Sequence, residues 1–191
     1  SSAASDVYKR QVRAGARGFA VRAVSSAQIV GAVEVRGVLE GLAARLLAER
    51  GANEAVLQTL KLCLREGDAL LEKGGFTEAD APLYLDLNIR FHAAIIEASG
   101  NAAIQEALSR NDHLPFASVK ALAIDRNNLA AEYKRLNYAH MQHHDIVEAI
   151  AAGQGARAEA LMREHANAVL RYTELDPARE GVAILRSGQF S

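Results

Sequence analysis

Residues 85–101 read LDLNIRFHAAIIEASGN, and the fold turns on how this stretch is placed. It opens with polar residues, continues with apolar residues at helical spacing, and closes on Ser99-Gly100-Asn101. Positions four apart share a helix face. Tyr84, Asn88, Phe91, His92, Ile95 and Ile96 therefore fall on or beside one stripe. The stripe is mostly apolar, so it faces a core and carries Asn88 and His92 inward. A buried amide and a buried imidazole both need partners.

Two further helices supply candidates. The pattern predicts a long helix from about Leu129 to Ala152, on which Leu136, His140, His143, Val147 and Ile150 form one stripe. His144 sits at its edge. A last helix is expected from Ala156 to about Glu174, with Ala158, Leu161, Met162, His165, Val169 and Tyr172 facing in. Three helices thus each present a histidine to a shared interior. Neutral imidazoles suit Zn, Ni, Fe or Cu, and three histidines with an open position make a common site. Asn88, one turn before His92, offers a carbonyl oxygen or a hold on bound water. The plainer reading is a polar core network of histidines without a metal.

The remaining helices follow from periodicity and end signals. The first runs from about Ala27 to Arg50, with Val35, Leu39, Leu42, Leu46 and Leu47 expected inward. Arg36 lies beside that stripe. Either its head reaches water or Glu40, or its guanidinium turns inward to bind a carboxylate. Asn53 caps a second helix to Lys73, Thr77-Glu78-Ala79-Asp80 opens the third, and Asn101 caps a fourth to about Arg110. A short helical segment is expected over 116–123. Ahead of all these, Phe19 and Val21 alternate with small and charged residues as in a short strand, which cannot be stable alone. Residues 1–12 read as a flexible lead, and 178–191 have no clear reading. The fold class is all-α, an antiparallel bundle of about six main helices with a remnant strand at the N-terminus.

Composition narrows the function. Formal net charge is −1, so there is no overall basic field for nucleic acid or an anionic membrane. A single cysteine, Cys63, permits no internal disulfide and reads as a small core residue. No apolar run reaches the ~18 residues of a membrane span, and no secretory leader is visible, so a cytoplasmic location is expected.

NIRFHAAIIEASGN (88–101) followed by HHDIVEAIAAGQGARAEALMREH (143–165) resembles the FCD effector domain of GntR-type transcription regulators, the FadR and VanR-like branches. VEVRGVLEGLAARLLAER from Val33 resembles that family's first helix, and the likeness covers roughly residues 27–173. The family register selects His143, with Ile146 and Ala149 at the expected offsets, and His165 follows 22 residues later. The resemblance implies a divalent metal on Asn88, His92, His143 and His165, with Zn first and Ni, Mn or Fe as alternatives. It also implies a small carboxylate effector, with Arg36 and His140 as effector contacts. Position 88 is Asn where the family pattern commonly has Asp, which weakens the hold on a hard dication. Gln154 stands where an Asp is frequent. Some members bind effector without metal.

RGFAVRAV (17–24) resembles the end of the wing in a winged helix-turn-helix. The division implied is residues 1–24 as lead and wing remnant, 25–175 as effector-binding and dimerisation domain, and 176–191 as tail. A homodimeric repressor is the expected whole, reaching operator DNA only through a winged domain missing here. The helix count and NDHLPFASVKALA (111–123) resemble the VanR branch, with vanillate as one aromatic-acid effector. A metal-dependent hydrolase is the rival, because a dication with open positions activates water. No Glu is clearly placed beside the histidine stripes to serve it. A metal-free dimerisation module is the third reading.

Overall fold

Asn53, Asn101 and Asn128 each fix the start of a helix. Their side chains accept from the backbone N–H of Val56, Ala103 and Ala131 at 3.0, 3.2 and 3.2 Å. Each satisfies one of the donors that a helix start leaves unpaired. At Thr77, Asp80 reaches back to accept from the Thr77 N–H (2.7 Å) and hydroxyl (2.6 Å), so this acidic box opens the next helix. The computed structural model describes residues 11–13, 19–21, 26–110, 118, 121–172 and 182–186. Six helices result among them: α1 Ser26–Arg50, α2 Glu54–Leu71, α3 Asp80–Ala98, α4 Ala102–Ser109, α5 Leu129–Ala151 and α6 Gly155–Tyr172. Gly153, at φ 69°, makes the tight turn between α5 and α6.

The helices form one bundle. Its main core joins Ala44 and Leu47 of α1, Leu60 and Cys63 of α2, Phe91 and Ile95 of α3, Ile104 of α4, Ile146 and Ile150 of α5, and Met162 of α6. α1 lies most closely on α6. A Cβ on Gly37 would sit 3.2 Å from the Ala166 Cβ, and one on Gly41 would sit 2.8 Å from Arg163 Cγ and 3.1 Å from the Glu159 carbonyl oxygen. Glycine at both positions allows this approach.

That close packing corrects the expected face of α1. The leucine stripe is not the buried one: Val35 is 49% exposed, and Leu39, Leu42 and Leu46 are half-buried. Of the expected set only Leu47 is buried. The buried line is instead Ile29, Val33, Arg36, Glu40, Ala43 and Leu47. The helix is rotated so that its glycines meet α6, and Arg36 and Glu40 go inside with them. Arg36 therefore pairs with Glu40 in the interior, not at the edge of the apolar stripe.

Two short antiparallel strand pairs complete the described structure. β1 (Gln11–Arg13) pairs antiparallel with β2 (Phe19–Val21), so the expected strand finds its partner at the end of the 1–12 lead, not in a part outside the chain. β3 (Ala121–Asp125) pairs antiparallel with β4 (Val182–Arg186), Ala121 opposite Arg186 and Asp125 opposite Val182. Residues 121–123 are thus strand, not the end of a short helix; the rest of that expected segment, apart from Ser118, lies outside the described residues. Alanine-rich local sequence favours helix, but pairing with a distant Val-Ala-Ile-Leu segment overrides it. Ile124 packs with Tyr84, Leu87 and Leu136 in a second core cluster. No helix among the described residues is long and apolar enough to cross a membrane.

Candidate metal and effector site

His92 of α3, His143 of α5 and His165 of α6 meet in the interior, 0, 1 and 5% exposed. One nitrogen from each lies within 4.8 Å of the others. Phe91 stacks on His143 with ring centroids 4.1 Å apart, which fixes that imidazole. His143 Nε2 faces His165 Nε2 at 3.1 Å. His165 Nδ1 lies 3.2 Å from Gln142 Oε1. An amide oxygen only accepts, so Nδ1 carries the proton and Nε2 keeps its lone pair toward the cluster.

Behind the histidines stands a carboxylate that the sequence ties only to Arg36. Glu40 Oε2 is 3.0 Å from His92 Nδ1, and Glu40 Oε1 accepts from Arg36 Nε at 3.0 Å. Glu40 and Arg36 are 2 and 5% exposed. Burial works against the Glu40 charge, but the Arg36 guanidinium and His92 more than offset it and hold the carboxyl at about 2. The His92–Glu40 approach is within ion-pair distance but off the line of a good hydrogen bond, and both His92 nitrogens are buried without a hydrogen-bond partner. The available signal was register: Arg36 and Glu40 continue the spacing of Ile29 and Val33.

These residues fit a divalent metal. Burial, then the neighbouring histidines, hold His143 and His165 well below the ordinary imidazole value, and neutral imidazole is the ligating form. A proton on His92 Nδ1 faces Glu40 and leaves its orphaned Nε2 as a donor, the arrangement in which a carboxylate orients a ligating histidine.

A family profile described as FCD domain matches residues 32–168. The chain belongs to the FCD domain family. That membership places it with the effector-sensing modules of GntR-type regulators, which are not catalytic, and not with the hydrolases considered from the histidine pattern. This FCD domain is 32% identical over 133 residues to the HTH-type transcriptional regulator LutR of Bacillus subtilis (strain 168). The match covers 70% of the chain and 56% of that relative, so the chain spans little more than half of its length. A solved structure, Streptococcus agalactiae GntR, superposes with a TM-score of 0.55 at 19% identity, covering 90% of this chain and 78% of that one. At that identity the likeness concerns the fold alone.

The other sequence candidates of the FCD domain divide. Asn88 is half-buried, one turn before His92 on α3. Arg36 lies beside the cluster through Glu40, and the terminal nitrogens of its guanidinium make no hydrogen bond to a described residue. His140 meets the edge of His143 at 5.8 Å between ring centroids, but its Nε2 turns the other way, to Asp68 Oδ1 of α2 at 3.0 Å.

Gly67 makes room for that turn. A Cβ there would overlap the His140 ring, 2.5 Å from Nδ1 and 2.7 Å from Nε2. Gly67→Ala should therefore destabilise by about 1–3 kcal/mol through overpacking, although alanine is the better helix former. Gly31→Ala, with nothing within 4 Å of the new methyl, should instead be neutral or stabilising. Urea unfolding of the two variants checks the opposite signs; equal effects would deny the cradle.

Proposed function

We propose that this FCD domain senses a small carboxylate at a divalent metal held by His92, His143 and His165, with Asn88 as a weaker fourth ligand. The observation that carries the reading is the convergence of three buried imidazoles, one of them with neither ring nitrogen hydrogen-bonded. Zn suits the three-nitrogen donor set best, with Ni, Mn and Fe as alternatives. Bound metal supplies a Lewis-acidic position for a carboxylate oxygen. The chain's own residues do the rest. Glu40 orients His92, Gln142 orients His165, Phe91 fixes His143, and His140 sits behind His143 at the border of the effector site. Arg36 is the second anion contact, since a guanidinium whose terminal nitrogens bond no described residue matches a carboxylate.

In the whole protein, effector binding is read out by linkage. The effector releases DNA only insofar as it prefers an arrangement that DNA disfavours. The setting we propose is a homodimeric cytoplasmic repressor that reaches operator DNA through a winged helix-turn-helix domain; the relative's name, an HTH-type transcriptional regulator, supports its regulatory role. The narrower proposal, resting on the resemblance of residues 111–123 alone, is the VanR-like branch, and with it an aromatic acid such as vanillate among the candidate effectors.

Elemental analysis of untagged protein after desalting is the test, followed by thermal shift with vanillate, sugar acids and short dicarboxylates. About one tightly held metal per chain, lost in His92→Ala, and stabilisation by a carboxylate are expected. Absence of metal after soaking and desalting would remove the coordination reading and leave the metal-free dimerisation module.

A further inference from the structure

We propose that Asp68, His140 and His144 form a second cation site, distinct from the three-histidine centre, taking one borderline divalent transition-metal ion such as Zn²⁺ with water completing its coordination.

His140 and His144 are four apart on α5 and share a face, with ring centroids 5.1 Å apart. Both direct Nε2 at a single atom, Asp68 Oδ1 of α2, at 3.0 and 2.9 Å. One ligand atom from each residue lies within 4.8 Å of the others. Two nitrogens and a carboxylate oxygen are a donor set for Zn²⁺, Ni²⁺ or Co²⁺. No Lys or Arg among the described residues pairs with Asp68, so its charge is left to the two histidines.

The tautomers favour a cation over the empty arrangement. Without metal, both Nε2 atoms must carry protons to donate to Asp68. His140 Nδ1 is then a bare lone pair, buried and without a hydrogen bond. The Leu64 backbone beside the ring favours its protonated form. With Nε2 given to a metal, the proton moves to Nδ1, the tautomer that ligating histidines commonly adopt, and the lone pair is no longer buried bare. Gly67 supplies the space that sets the ring in this orientation. The site differs from the deep centre in access: the side chains of Asp68 and His144 are 38 and 37% exposed, so water can reach a bound ion. Weaker binding than at the deep centre follows.

Equilibrium dialysis of the untagged full chain against buffered micromolar Zn²⁺, with elemental analysis, tests this. His144→Ala and Asp68→Asn change partly exposed side chains on two different helices, so the core is preserved. Each is expected to bind about one equivalent less than the wild type. His92→Ala run in parallel counts the deep centre separately. If that centre is empty, the wild type starts at about one equivalent, and His144→Ala still removes it. Unchanged Zn²⁺ content and affinity in both variants would overturn the second site, whatever His92→Ala shows.

Discussion

Glu40→Ala is expected to lower the melting temperature by about 6–20 °C. Removing one partner of a buried ion pair costs about 3–5 kcal/mol, because the other charge stays behind uncompensated. For a domain of this size each kcal/mol moves the melting temperature by roughly 2–4 °C. Arg36 is 5% exposed and its Nε donates to Glu40 Oε1, so in the variant the guanidinium keeps its burial and loses its anion. The pair itself need not be a net gain. Arg36→Met combined with Glu40→Leu should recover most of the loss, since hydrophobic replacement of a buried pair is often neutral or stabilising. A thermal double-mutant cycle measures both. Glu40→Ala should also weaken metal binding by about 10–100-fold through the lost support of His92. A cost below about 1 kcal/mol would show that water, not Glu40, balances Arg36 in solution.

The metal-free domain should lose stability as pH falls below about 6.5. His143 and His165 have folded values well below the ordinary one, through burial first and neighbouring charge second. Unfolded histidines take up protons near pH 6.5, whereas these two resist until lower pH. In that window the unfolded state binds more protons, so stability rises with pH and is lost as pH falls. The limiting slope is about 1.4 kcal/mol per pH unit for each histidine. Glu40 acts in a different window. Its carboxyl is held at about 2, below the ordinary value of 4.5, so its contribution is complete above pH 4.5 and fades as pH drops toward 2. Urea midpoints between about pH 7 and pH 5 separate the two. His165→Asn should flatten part of the slope, and a flat wild-type profile would show that the histidines are not buried neutral.

Both effects arise from groups whose placement was unequally legible. The stripes of α3, α5 and α6 were readable because each alternates apolar and polar residues at helical spacing. Leu136, His140, His143, Val147 and Ile150 are all buried as that spacing requires. Cys63 lies in the core, and Asn53 and Asn101 cap the helices they precede. α1 misled because its leucines lie on a half-exposed face while glycines, alanines and an ion pair face inward. Leucine content signals burial only when no neighbouring helix demands small residues, and α6 demands them at Gly37 and Gly41.

Sequence alone determined the six helices and which sides of α3, α5 and α6 turn inward, because those features are written in spacings of three and four residues. Tertiary structure decided which groups meet across those sides. His140 and His143 share a stripe but diverge, His143 toward His165 of α6 and His140 toward Asp68 of α2. Glu40 and Asp68 belong to their clusters only through contacts between helices, and β3 exists only because Val182–Arg186 returns to pair with it. Local periodicity records a direction from the helix axis; the partner waiting there is set by packing among segments far apart in the chain.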